Sequence, residues 1–224
     1  MLEMTKEERS EKIARNVAAI IEAETRECFV LNLGVGIPTL VADYIQNKNI
    51  FIQAENGMLG VGKLAHGDQI HPQLINAGRQ PVLETEGCVY MDSSESFGMI
   101  RGGHVDATVL GAFEVDEQAN VANWIVPGGK QLGVGGAMDL VCGAKEVIIA
   151  MLHTNKGKPK LVKNCTLPVT GYHEVDWLVT EYGVFRFKDR KISLLMIAEG
   201  MDLGELKSIT EFEFEPDENM AFMV

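Results

Sequence analysis

Apolar residues recur at helical spacing through 6–24, where Ile13, Val17, Ile20 and Ile21 share one face and charges fill the other. The pattern then shortens. Residues 28–33 form an apolar run broken by Asn32, which predicts a buried strand ending in Gly34-Val-Gly36. Pro38 suits the first turn of a helix, which the pattern carries on through 39–46. A second strand is predicted at 50–54, leading to Glu55-Asn-Gly57 and a glycine-rich loop. Strand, helix and strand in this order make a βαβ unit, and hence a parallel sheet. Further strands are predicted at 82–85, 105–110, 146–151 and 161–165, and short helices at 93–100 and 138–143. Residues 184–187 and 191–197 alternate around Lys188-Asp-Arg190, as an antiparallel hairpin does. The acidic stretch 211–218 reads as a solvated edge or end. With no fixed-period repeat and no Pro- or Ser-rich linker, the expectation is α/β class. It is one domain, 1–224, with a mostly parallel open sheet flanked by helices and a C-terminal antiparallel hairpin.

Composition narrows the function more than the fold. The 224 residues are 46% hydrophobic and 23% charged, enough for a sizeable core, with a net charge of −12. That charge argues against a nucleic-acid partner, because phosphates would be repelled. It also sets a difficulty for any anionic ligand, which would meet an unfavourable field. No apolar run is long enough to span a bilayer. Residues 1–10 carry Glu3, Glu7 and Glu8 and no apolar stretch, so a secretory leader is not expected. Cys28, Cys88, Cys142 and Cys165 are far apart, which fits a reducing, cytoplasmic setting and predicts small buried side chains. Neither they nor the five histidines show metal-ligand spacing, so no metal is expected.

Glycines gather at Gly34-x-Gly36, Gly57-x-x-Gly60-x-Gly62, Gly102-Gly103, Gly128-Gly129 and Gly133-x-Gly135-Gly136, each taken to follow a strand. Glycine admits close backbone approach to a ligand, and it is also plain turn punctuation. Two nucleotide motifs are incomplete. Gly57 to Lys63 matches the glycine-lysine spacing of a phosphate-cradling loop, but Leu64 stands where a magnesium-binding hydroxyl belongs. Gly34-Val-Gly36 lacks the third glycine of a dinucleotide fingerprint, and Pro38 occupies the turn. Glu55 is the most informative residue. A carboxylate at the end of an apolar strand, beside an amide and glycines, can act as base, metal ligand or nucleophile, the second weakened by the lack of a nearby ligand cluster, or can merely cap loop amides. Arg101 and His104 are expected to be internally satisfied braces, Asp139 a helix cap or loop brace, and Trp124 and Trp177 packing residues.

Six segments in order carry a resemblance over about 13–204. They are Asn32-Leu-Gly-Val-Gly-Ile-Pro-Thr39, Glu55-Asn-Gly57, Ile75-Asn-Ala-Gly78, Ser96-Phe-Gly-Met-Ile-Arg-Gly-Gly-His104, Ala122-Asn-Trp-Ile-Val-Pro-Gly128 and Gly133-Val-Gly-Gly-Ala-Met-Asp-Leu140. Together they resemble the β-subunits of two-subunit 3-oxoacid (acetoacetate) CoA-transferases, in the class I CoA-transferase family. The family's active-site motif is usually Ser-Glu-Asn-Gly, and Ala54 replaces the serine here. The resemblance implies that Glu55 attacks an acyl-CoA and passes through a mixed anhydride to a glutamyl-CoA thioester, with ping-pong kinetics. It also implies that Gly136 and Ala137 line the cleft opposite Glu55 as oxyanion donors, and that Asn32 is the cleft asparagine. Arg79 replaces a lysine that approaches CoA in the family.

The expected partners are a separate α-subunit, in an α2β2 assembly, with acyl-CoA and a short carboxylic acid such as acetoacetate, acetate or butyrate as substrates and no cofactor. An acyl-CoA hydrolase using the same glutamate is one alternative. A non-catalytic small-molecule-binding α/β module is another, since fold alone does not set function.

Overall fold

The computed structural model describes residues 4–125 and 133–224. Helix α1 (Lys6–Glu22) starts at a capping box: the Glu8 amide donates to the Thr5 hydroxyl at 3.2 Å, and the Thr5 amide to the Glu8 carboxylate at 2.7 Å. Its apolar face, Ile13, Val17 and Ile21 among it, is buried. Then come β1 (Phe29–Leu33), α2 (Ile37–Leu40), β2 (Ile50–Ala54), β3 (Met58–Leu64), β4 (Val82–Tyr90), α3 (Ser93–Arg101) and β5 (Ala107–Leu110). The short strands β6 (Glu114–Asp116) and β7 (Val121–Ala122) precede α4 (Ala137–Gly143) and β8 (Glu146–Ala150). After β9 (Thr154–Asn155), β10 (Lys158–Pro159) and β11 (Leu161–Val162), the chain ends with β12 (Trp177–Val179), β13 (Gly183–Lys188), β14 (Lys191–Ile197), α5 (Leu203–Ser208) and β15 (Glu215–Phe222).

The main sheet has ten strands in the order β15-β14-β13-β12-β8-β5-β1-β2-β3-β4. Its centre, β12-β8-β5-β1-β2, is parallel throughout. Antiparallel strands extend it on both sides, and β15 adds a parallel edge to the predicted hairpin β13–β14. Asp106 gathers the amino ends of three central strands. It accepts from the Val30 amide at 2.8 Å, from Lys145 at 2.8 Å and from Arg26 at 3.0 Å. Burial alone would raise its carboxyl pKa, but these partners hold it below the ordinary value. Among the described residues no helix is long and apolar enough to cross a membrane.

Several expectations need correction. The glycine-rich segment after Glu55 is not a loop but strand β3. A side chain at Gly60 would come within 2.9 Å of the Cys88 backbone, and one at Gly62 within 2.9 Å of the Leu83 carbonyl. The glycines therefore let β4 lie close, and the Gly57–Lys63 spacing is a strand rather than a phosphate cradle. The helix expected to 46 breaks down after Leu40 into one 3-10 turn at Val41–Asp43. The strand expected at 161–165 is paired over Leu161–Val162 alone, and β12 was not anticipated. Gly102-Gly103 follow helix α3 rather than a strand, and Gly133 to Gly136 lead into α4. Gly128-Gly129 lie outside the described residues. The acidic tail is an edge, but Phe212 and Phe214 point inward and meet Phe185 edge-to-face at centroid distances of 6.2 and 5.1 Å. Cys28 and Cys142 are exposed, and Cys88 and Cys165 half-buried, rather than all four being internal.

His153 is fully buried between Thr180 (Nδ1, 3.0 Å) and Thr210 (Nε2, 2.9 Å). Thr210 also reaches the Leu206 carbonyl at 2.9 Å and Thr180 the Gly183 carbonyl at 3.3 Å, so each ring nitrogen meets a hydroxyl and the neutral ring is satisfied at both ends. Burial lowers the His153 pKa to about 3. Between pH 6.5 and about 3 the unfolded chain therefore binds a proton that the folded chain refuses, and stability is lost as pH falls. The neighbouring Glu181, raised by burial, works in the opposite sense. His153→Gln keeps one donor and one acceptor and is expected to flatten the acid limb by up to about 1.4 kcal/mol per pH unit. Urea unfolding of both proteins at several pH values between 4 and 7 checks this, and equal slopes would reject it.

Candidate active site

Strands β1 and β2 run side by side with Asn32 opposite Gln53, so their carboxyl ends deliver one amide each to the same spot. Glu55 is the next residue but one, in the turn Glu55–Gly57 that joins β2 to β3. The Gly57 amide closes that turn on the Ala54 carbonyl at 3.0 Å. Gly57 has φ 123°, and a side chain there would run into the Met91 carbonyl at 2.1 Å. Glycine is thus required at the turn for both conformation and space.

Beneath the turn lies a closed chain of buried polar groups. The Thr108 hydroxyl donates to Asn32 Oδ1 at 3.2 Å, Asn32 Nδ2 donates to Gln53 Oε1 at 2.7 Å, and Gln53 Nε2 donates to Ser96 Oγ at 2.8 Å. All four residues have zero exposure. Asn32 Nδ2 also faces the Gln53 carbonyl at 3.2 Å, a pure acceptor, which settles which end of the Asn32 amide is the nitrogen. The same nitrogen reaches Glu55 Oε2 at 3.5 Å. Glu55 itself is half-buried, with the Asn32 amide on its carboxylate.

Gly136 faces it. A Cβ on Gly136 would sit 3.3 Å from Glu55 Cγ and 3.1 Å from Phe97 Cζ, so the missing side chain is what brings the Gly133–Gly136 segment against the carboxylate. Ala137 begins α4, and its amide donates to the Val134 carbonyl at 3.2 Å, so in this arrangement that amide is already engaged. Arg79 lies in the turn Asn76–Gln80 at φ 62° and is exposed. Asn56 ties that loop to the Glu55 turn through its amide on the Ile75 carbonyl at 2.9 Å. Asn32, Gly136 and Glu55 are therefore brought together, Ala137 adjoins them, and Arg79 stands on a neighbouring loop.

Arg101 and His104 are exposed, against the expectation of buried, satisfied groups. Arg101 instead bonds Asp139 at 2.6 Å across α3 and α4, and Asp139 acts as the brace. Trp177 packs under Arg186 at 4.5 Å, whereas the Trp124 indole nitrogen is buried without a partner among the described residues. Sequence reasoning missed Gln53, Ser96 and Thr108 as members of the site. A glutamine on the buried side of an apolar strand, two residues before the carboxylate, was the available signal. Among the described residues there is no group of three or more His, Cys, Asp or Glu side chains placed to hold a metal.

The site is thus a parallel-centred α/β sheet that carries a glutamate on a hairpin turn at its strand ends, faced by a glycine segment. The family model of coenzyme A transferases matches residues 16–202, and the chain belongs to that family. It is 49% identical over 207 residues to the beta chain of the acetate CoA-transferase of Escherichia coli K12, covering 92% of this chain and 93% of that one. It is 44% identical to one of the subunits of the succinyl-CoA:3-ketoacid coenzyme A transferase of Helicobacter pylori 26695, covering 86% and 93%. The acyl-CoA transferase apoenzyme of Escherichia coli O157:H7 superposes with a TM-score of 0.74 at 21% identity, over all of this chain and 44% of that chain. This chain thus spans less than half the length of that solved structure, and the likeness there is one of fold.

Gln53→Leu is expected to leave the buried Ser96 hydroxyl without its partner, to remove the shortest acceptor of the Asn32 amide, and to destabilise the fold by about 2–4 kcal/mol. Urea unfolding measures the loss. A change below about 0.5 kcal/mol would mean that the buried chain contributes little.

Proposed function

We propose that the chain is the β-subunit of a two-subunit CoA-transferase that moves CoA between a short acyl-CoA and a carboxylic acid such as acetoacetate, acetate or butyrate. The observation that carries this reading is Glu55, half-buried, with the Asn32 amide on its carboxylate and Gly136 facing it. Similarity along nearly the whole length of chains that are each named as one subunit of a transferase supports a separate α-subunit, and we infer an α2β2 assembly in the cytoplasm. No cofactor is required by the chemistry.

The steps follow from the residues. Glu55 attacks the thioester carbonyl, the C–S bond breaks, and CoA leaves as thiolate from a mixed anhydride. The thiolate then attacks the glutamyl carbonyl, releases the first acid and leaves CoA on Glu55 as a thioester. The acceptor acid reverses both steps. Each tetrahedral oxyanion needs a fixed donor, and the Asn32 amide and the Gly136 segment are the groups at hand. The Asn32 amide is held by Thr108 and Gln53, so it needs no reorientation as charge develops. Arg79 supplies a cation on a bordering loop for a phosphate of CoA.

Glu55→Ala, coexpressed with its α-subunit, is expected to assemble and to lose exchange activity, and full activity would reject the nucleophile. Incubating the wild-type pair with acyl-CoA, without acceptor, should add CoA to the peptide holding Glu55. Hydroxylamine should remove it, and intact-mass analysis reads both. Gly136→Ala should lower kcat by about tenfold or more while assembly persists, because its methyl group must displace Glu55 or Phe97. The purified single chain should be nearly inactive, and wild-type rates from it would reject the split site.

A further inference from the structure

The glycine that faces Glu55 belongs to a seam between two helices. Gly136 stands at the start of α4, and a Cβ there would come within 3.1 Å of Phe97 Cζ and 3.3 Å of Phe97 Cε1 on α3. Further along, Arg101 bonds Asp139 at 2.6 Å. At the far end of α4, a Cβ on Gly143 would come within 2.5 Å of the Ile100 carbonyl oxygen. Residues 97, 100 and 101 lie three and four apart on α3, as 136, 139 and 143 do on α4, so the contacts run along one face of each helix. Phe97 is the member of this seam that meets the glycine in front of the carboxylate.

The same Gly136 Cβ would stand 3.3 Å from Glu55 Cγ, so the ring and the glutamate stem both border the space the glycine leaves. Backbone conformation does not require glycine here, because φ is −85°. Space does. The two neighbours differ in how firmly they are held. Asp92 caps α3 by accepting from the Ser94 and Glu95 amides at 2.8 and 2.9 Å. Ser96, beside Phe97, is buried on Gln53 at 2.8 Å. The ring packs on the main core, with the Arg101 guanidinium 5.8 Å from its centroid. The Glu55 side chain, by contrast, makes one hydrogen bond among the described residues, at 3.5 Å to Asn32. Where the ring and the stem compete for that space, the ring stays and the carboxylate moves.

We propose that Phe97 is a positioning residue for the reaction: its ring sets how the Gly136 segment meets Glu55, and so where the carboxylate stands. The inference rests on Glu55 as the nucleophile. Phe97 acts through Gly136 and takes no part in bond making. A misplacement of about 1 Å at a reacting group can cost about a hundredfold in rate, so a contact of this kind bears on kcat.

The test is a double-mutant cycle on the chain coexpressed with its α-subunit. Gly136→Ala alone should lower kcat by about tenfold or more, with KM within about threefold. Phe97→Leu removes the ring edge and should lower kcat by about fivefold or more, again with KM within about threefold. A loss confined to kcat separates positioning from general loosening of the fold. In the Phe97→Leu background, Gly136→Ala should cost less than about threefold, because its methyl group then has room on the side of the ring. A crystal structure of Gly136→Ala adds a readout with Phe97 unchanged, and decides the matter should Phe97→Leu not fold: the Glu55 side chain should be displaced and the ring in place. Losses that simply multiply, unchanged kcat in a folded Phe97→Leu, or a displaced ring beside an unmoved Glu55 would each overturn the proposal. The crystal readout involves no turnover, and the nucleophile is tested separately through Glu55→Ala, so a failure of either reading is seen on its own.

Discussion

The buried chain Thr108–Asn32–Gln53–Ser96 is the constraint on which the site depends. It joins β5, β1, β2 and α3, four elements far apart in sequence, through polar atoms that have no water to fall back on. Each unpaired member would cost about 1–3 kcal/mol, so every bond is enforced by the others. The chain of donors also has a direction. Thr108 donates to Asn32, which donates to Gln53, which donates to Ser96, and the second Asn32 contact is thereby aimed at Glu55. A carboxylate placed on such a platform meets an oriented dipole that was set during folding.

The acidic balance puts a second demand on the molecule. At net charge −12 the surface repels anions as a whole, yet CoA and carboxylates are anions. Attraction has to be local. Arg79, on the loop tied to the Glu55 turn, and the Asn32 amide under the carboxylate are a cation and a donor at the carboxyl ends of the central strands. The cations at the opposite ends, Arg26 and Lys145, are consumed by Asp106 and serve the fold instead.

Much of the site was legible in the chain, and the limits have physical causes. The parallel centre followed from the βαβ order, and Glu55 stood out because a charge terminates an apolar strand. Gln53, Ser96 and Thr108 did not stand out, because a polar residue becomes informative only when its burial is known. Gly60 and Gly62 looked like a loop because periodicity cannot see a partner strand, and the close approach of β4 is a tertiary fact. The exposed Cys28 and Cys142 show the converse: residue type carries an average burial, and position on the fold overrides it. The same holds for Phe212 and Phe214, two inward aromatics hidden in an acidic tail by the charges on either side.

The place of Glu55 on a hairpin turn, rather than on a loop before a helix, has a mechanical consequence. Strands on both sides of the turn hold it, β2 through β1 and β3 through β4, so the carboxylate is precise where loops are usually mobile. Precision on one side leaves the other side open to water, which would hydrolyse a thioester. The surroundings are suited to being covered. Val35 is 64% exposed, and Ile75 and Met138 are each 39% exposed, on the loop after β1, on the segment tied to Asn56 and on the first turn of α4. Apolar side chains left in water beside a reactive group gain by burial, and roughly 25 cal/mol per Å² favours whatever closes over them. The same apolar surface would therefore contribute to holding a covering subunit in place, so that assembly and exclusion of water from the Glu55 turn draw on one set of side chains.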